Sequence, residues 1–310
     1  MEIRNRRRKM LTFDDATDPR KMPMLTEKHD DAPQCGAQTP AAERKPFPTT
    51  GDLLAMMGIF LVANLAVGTV AGVIRLAAGA ADAAQTGMQL AATYALSMAL
   101  TLGGVLLYRR KRGGQGPLAR FSARGLDPAV LGWAFVLILA AGIVVEPLTA
   151  RLPGPPYEAM GRGAWTFAAL AVLAPLFEEL LCRGIVLEAV RARHGAVRAW
   201  LVSSLFFGVM HLYPAQAVGA FAVGLVLGYV CIATGSLWGA VALHALNNAL
   251  AYALMTAGYA DATFADAVGS RGAYAALYVA ALALAVVSGR RIRAALRRID
   301  RAADKNRQAA

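Results

Sequence analysis

Charge is scarce in this chain: only 17% of its 310 residues are Asp, Glu, Lys or Arg, and the mean hydropathy is +0.45. A soluble domain carries about 25% charged residues, so a wholly water-soluble fold is excluded. Cysteine is rarer still. Cys35, Cys182 and Cys231 have no paired spacing, which argues against both a disulfide framework and a cysteine-based zinc site. No apolar stretch follows the basic N-terminal residues, so no cleavable signal peptide is expected and the first membrane helix would act as the targeting signal. The chain also lacks a P-loop, a dinucleotide fingerprint, a repeat of fixed period and an HExxH zinc helix.

What the chain has in abundance is apolar sequence, at 57% of residues. It comes in blocks long enough to cross ~30 Å of hydrocarbon. The expected spans are 52–74, 87–108, 129–150, 164–183 or 164–190, 197–212, 215–234, 236–256 and 272–289. The fold class is therefore all-α, a polytopic membrane bundle of about eight transmembrane helices.

The net charge of +12 is unevenly spread. Basic clusters occur at Arg4–Lys9, at Arg109–Arg112 with Arg120 and Arg124, at Arg191, Arg193 and Arg198, and from Arg290 to Arg301. The alternate connections carry little positive charge: Arg75, Arg151, Arg162 and Arg271, with two aspartates and no basic residue in 257–270. The positive-inside rule then puts both termini in the cytoplasm, which requires an even number of spans. Basicity here reports topology rather than nucleic-acid binding.

Three segments follow. Residues 1–50 are polar and proline-punctuated, and are expected to form a disordered cytoplasmic segment. Residues 51–289 form the transmembrane domain. Residues 290–310 form a basic tail in which Ile292, Ala295, Leu296, Ile299 and Ala302 fall on one helical stripe, either lying on an anionic leaflet or solvated. The stretch 109–128 reads as a Gly/Arg-rich cytoplasmic loop. Ala220, Gly224 and Gly228 make a small-residue face for close helix packing.

Against this apolar background, Glu178, Glu179, His211, His244 and Asn248 are costly in hydrocarbon unless they are paired or face a wet cavity. Neighbouring helical positions differ by about 100° in direction, so Glu178 and Glu179 are not expected to enter one site equally. Arg183, four residues after Glu179, is positioned for a helical ion pair, which leaves Glu178 as the freer carboxylate. His211 follows Phe207 by four residues, and the aromatic ring can orient the imidazole. His244 and Asn248 project side by side, either as metal ligands or as donors to a developing oxyanion. Their bland reading is an interhelical hydrogen-bond pair, and Asn247 reads as a helix-bonding residue. Glu178, His211 and His244 together are a carboxylate and two imidazoles, the usual donor set for a divalent metal, zinc above all.

The ordered set Glu-Glu-x-x-x-Arg (178–183), Phe-x-x-x-His (207–211) and His-x-x-x-Asn (244–248) resembles the CAAX-protease and bacteriocin-processing family of intramembrane endopeptidases, also called Abi or type II CAAX prenyl endopeptidase-like. The resemblance covers about 164–256. It implies an eight-helix membrane protease with Glu178, His211, His244 and Asn248 at its centre and Glu179 and Arg183 as motif members. The substrate would be a membrane-associated protein or peptide, cleaved by water that Glu178 and His211 activate. The Ala/Arg-rich composition resembles a GC-rich bacterium, placing the chain in the cytoplasmic membrane, and prenyl-protein cleavage is not carried over with the fold. A proton- or ion-coupled transporter and a non-proteolytic scaffold or immunity factor are the other two classes open to these residues.

Overall fold

The computed structural model describes residues 47–79, 83–114, 118–260 and 262–308, so most of the 1–50 segment lies outside the described residues. Helix α1 (Thr50–Ala78) begins at a capping box in which Thr49 and Asp52 exchange hydrogen bonds. Helix α2 (Ala83–Lys111) returns beside it. The Arg112 guanidinium lies 2.7 Å from the nearly sealed Asp52 carboxylate, and the Tyr108 hydroxyl donates to the same oxygen at 2.7 Å. Asp127 caps α3 (Pro128–Thr149), and Pro128 takes the first helical position, where its missing N–H costs nothing.

The next helix, α4 (164–194), is not uniform. Two π-helical stretches, Ala169–Leu173 and Leu180–Leu187, flank the α-helical turn Ala174–Glu179 that bears both glutamates. The helical run breaks at Gly195, whose φ of 81° and ψ of 175° suit only glycine without strain. Helix α5 (196–210) then runs back along α4, bringing Met210 within 3.5 Å of Cys182 and the Phe207 ring under Arg183. Helices α6 (Pro214–Thr234) and α7 (Leu237–Thr256) follow, joined through the left-handed Gly235. A short α8 (Phe264–Val268) leads into α9 (Arg271–Gln308).

Among the described residues the architecture is all-helical, with eight long helices and no strand. Five of them are long and apolar enough to cross a membrane: α1, α2, α3, α6 and α9. The other three, α4, α5 and α7, carry the polar motif residues. Outward side chains such as Leu65 and Leu76 are largely exposed on α1, an apolar exterior that suits a lipid bilayer.

Two expectations are corrected by the packing. The stripe on the basic tail does not stand apart from the protein. Helix α9 continues unbroken through Gly289, and Ile292 and Ala295 are buried in one cluster with Val130, Ala134 and Leu237. The stretch 118–126 is not a loose loop either. Ala119 N–H donates to the Gly184 carbonyl at 3.3 Å, Leu237 N–H donates to Arg120, and Ser236 Oγ donates to Ser122 O at 2.5 Å. The extended turns of a π-helix leave carbonyls such as that of Gly184 open to an outside donor. The segment thus packs against α4 about 8 Å along the axis from Glu179, five residues at ~1.5 Å each.

The small-residue face forms as expected. A Cβ on Gly228 would stand 3.0 Å from Trp200, and one on Gly224 would stand 3.2 Å from Phe207 and 3.3 Å from Arg183. Cys182 and Cys231 are free and buried.

Candidate active site

Glu179 sits at the bottom of the bundle's polar cluster, sealed from solvent. Its Oε1 accepts from Arg183 at 2.8 Å and pairs with His244 Nδ1 at 2.9 Å. Arg183 is equally sealed. Its second arm donates to the Gly224 carbonyl at 2.9 Å, and its guanidinium lies 4.7 Å from the Phe207 ring centroid. Gly224 has no side chain, and that absence lets Arg183 reach the α6 backbone and Phe207 at once.

Glu178 lies on the next position of the same turn and meets a different set of partners. The Tyr94 hydroxyl, from α2, donates to its Oε1 at 2.8 Å. Its Oε2 is buried, has no hydrogen-bond partner among the described residues, and stands 3.8 Å from His244 Nε2. That distance is too long for a hydrogen bond. The 100° divergence of adjacent positions therefore does not keep the two carboxylates out of one site. His244 enters between them, with one ring nitrogen turned toward each.

His244 is buried with 3% exposure, and its ring meets Phe207 edge-on at 5.3 Å between centroids. His211 forms the C-terminal cap of α5. Its Nδ1 bonds to the Phe207 carbonyl at 2.8 Å, and the two rings meet edge-on at 5.0 Å. The sequence pointed to the Phe207 ring as the orienting group, and the backbone carbonyl adds a stronger restraint. Because a carbonyl only accepts, Nδ1 of His211 is the donor in this bond, and in the neutral ring Nε2 then presents a lone pair. In the same way, an ionised Glu179 holds the proton of His244 on Nδ1.

Asn248 donates to the carbonyl of Leu170, in the first π stretch, at 2.9 Å, and accepts from Asn247 at 3.2 Å. It thereby ties α7 to α4 across the site and keeps a second amide N–H. The structure thus assembles Glu178, Glu179, Arg183 and His244 in direct succession, with His211 joined to them through Phe207 and Asn248 one turn along α7.

Among the described residues, no three His, Cys, Asp or Glu side chains are grouped closely enough to enclose a metal ion. Tyr94 was not found from sequence, because a lone tyrosine in an apolar helix carries no motif. Its one available signal, a polar tip in an apolar run, is shared with many interfacial tyrosines.

Part of the chain matches a known family. The model for the Rce1-like family, type II CAAX prenyl endopeptidase Rce1-like, matches residues 161–250. The resemblance carried by the three motifs therefore holds over a segment that includes all six motif residues. No curated protein and no solved structure matches the chain.

Proposed function

We propose that this chain is a multi-pass intramembrane endopeptidase that hydrolyses a peptide bond in a membrane-associated protein or peptide. Both glutamates keep a buried Oε2 without a hydrogen-bond partner among the described residues. The observation that carries the reading is the setting of Glu178: no cation among the described residues pairs with it within hydrogen-bond distance, and its Oε2 faces His244 Nε2 at 3.8 Å. A charged acceptor shut away from water without a donor costs at least ~1–3 kcal/mol. Glu179 is braced by both Arg183 and His244, whereas Glu178 is held by Tyr94 alone, so Glu178 is the carboxylate left for chemistry. In this reading the eight long helices cross the membrane, five of them apolar enough to do so by composition alone. The alternation of basic and non-basic connections along the sequence puts both termini in the cytoplasm of a bacterial inner membrane.

Glu178 is the general base. A water donating one hydrogen to Glu178 Oε2 and the other to His211 Nε2 turns its lone pair toward the scissile carbonyl. As its oxygen bonds to the carbonyl carbon, the proton passes to Glu178 and the carbonyl oxygen becomes an oxyanion. The second amide N–H of Asn248 faces that charge. Collapse of the intermediate breaks the C–N bond, and Glu178 returns the proton to the leaving amine. Glu179 and Arg183 hold His244 and Phe207 in place through this sequence.

In donor type Glu178, His211 and His244 suit a divalent metal such as zinc, with Nδ1 of both imidazoles held by an oxygen. As placed here, however, the three side chains are too far apart to enclose an ion and would have to draw together to hold one. Those three residues would hold it, and it would lower the pKa of a bound water. Under this reading, metal analysis of the purified protein finds about one equivalent, and a strong chelator removes activity that zinc restores. An enzyme that is fully active, metal-free and chelator-resistant eliminates the metal while leaving Glu178 as base.

The function itself is tested by comparing the membrane proteomes of cells carrying the wild-type chain and Glu178→Ala. Wild-type cells are expected to show released peptides or new C-termini that the variant lacks. Identical proteomes at equal protein abundance would remove the hydrolytic reading.

A further inference from the structure

We infer that Tyr94 is a positioning residue for Glu178, so that the reacting unit includes α2, which lies outside the 161–250 segment. The inference rests on the hydrolytic reading above and adds to it the choice of oxygen. A glutamate carboxylate has two equivalent oxygens on a side chain with several rotatable bonds, so proximity alone does not present one of them to water. Tyr94 removes that freedom: its hydroxyl donates to Oε1 at 2.8 Å, and Oε2 is left facing His244 Nε2 at 3.8 Å. Oε2 is therefore the oxygen that takes the proton from water when the new C–O bond forms.

The placement of Tyr94 is set by packing. Gly87 lies seven residues earlier on α2, two turns away and on the same face. A Cβ there would stand 2.8 Å from Thr166 Oγ1 and 3.2 Å from Thr166 N. The glycine allows α2 to lie close against the start of α4, and that closeness lets a tyrosine hydroxyl reach the α4 carboxylate. Below Tyr94, the Asp52–Arg112 pair ties α2 to α1. Tyr94 itself packs on the buried cluster that includes Phe60, Met98 and Phe207, which fixes its ring.

A tyrosine that only satisfied a buried oxygen would affect stability and leave turnover alone. A positioning residue behaves differently. Tyr94→Phe, which keeps the ring and deletes the hydroxyl, is expected to lower kcat about 10–100-fold, the loss of one hydrogen bond to a charged group. KM should stay within about twofold, because substrate binding is untouched. In a Glu178→Asp background, whose shorter carboxylate no longer reaches the hydroxyl, Tyr94→Phe should add little further loss. A fluorotyrosine at position 94, which retains the hydroxyl, should turn over near the wild-type rate. Wild-type kcat in Tyr94→Phe, or a raised KM at unchanged kcat, overturns the inference. Failure of the underlying reading looks different: Glu178→Gln would then retain full activity whatever stands at position 94.

Discussion

Glu178→Gln is expected to lower kcat by about 10²–10⁴-fold, the span typical for loss of a general base. The substitution is close to isosteric, and the glutamine carbonyl can still accept from Tyr94, so the α2–α4 contact survives. Only the capacity of the second terminal atom to take a proton is lost. The measurement is turnover of a peptide recovered from the proteomic comparison, by purified protein in a lipid nanodisc, alongside its melting temperature. A variant within about twofold of wild-type turnover, against the loss that general-base removal produces, removes Glu178 from the chemistry.

The second large effect falls on stability. Arg183→Ala is expected to destabilise the protein by about 3–5 kcal/mol, because it leaves the sealed Glu179 carboxylate without its guanidinium. The Gly224 carbonyl and the Phe207 face lose their partner in the same step. Arg183→Lys should rescue little, since one ammonium cannot reproduce the planar fork that bridges Glu179 and Gly224. Arg183→Met combined with Glu179→Gln should recover part of the loss, since it removes both charges. Thermal unfolding in detergent reads all three. If Arg183→Ala melts with the wild-type protein, the pair does not hold the site together.

These two expectations separate residues that stand side by side in the sequence. Glu178 and Glu179 are chemically identical and adjacent, and the assignment of base to one and brace to the other began from spacing. Arg183 at four residues from Glu179 makes an ion pair within a single helix, and such a pair forms wherever the helix forms. The structure adds that His244 touches Glu179 directly and approaches Glu178, so brace and base share one imidazole. The spacing argument placed the carboxylates in diverging directions, and a ring with a nitrogen on each edge spans that divergence.

Other parts were beyond the reach of any pattern. The acceptors of Asn248 and Arg183 are the carbonyls of Leu170 and Gly224, and a backbone oxygen has no letter in the sequence. The two π stretches that open carbonyls around the glutamates have no composition that distinguishes them from ordinary apolar helix. Tyr94 reaches the site from α2 across 84 residues of chain. The tail stripe had the correct periodicity, yet periodicity reports that a helix has an apolar face and says nothing of what that face meets. In this chain its Ile292 and Ala295 are buried with α3 rather than laid on lipid.

By itself, then, the sequence determined the all-helical character, the approximate positions of the apolar helices, the Glu179–Arg183 pair and the family-like set of six motif residues. Each of these depends on composition or on contacts between residues a turn apart, and helical geometry fixes those locally. The tertiary structure alone decided that Tyr94 holds one oxygen of Glu178 and leaves the other facing His244, and that His244 stands between the two carboxylates. Those are contacts between helices. They depend on how closely helices approach, at Gly87 and Gly224 above all, and close approach is a property of packing that no single helix contains.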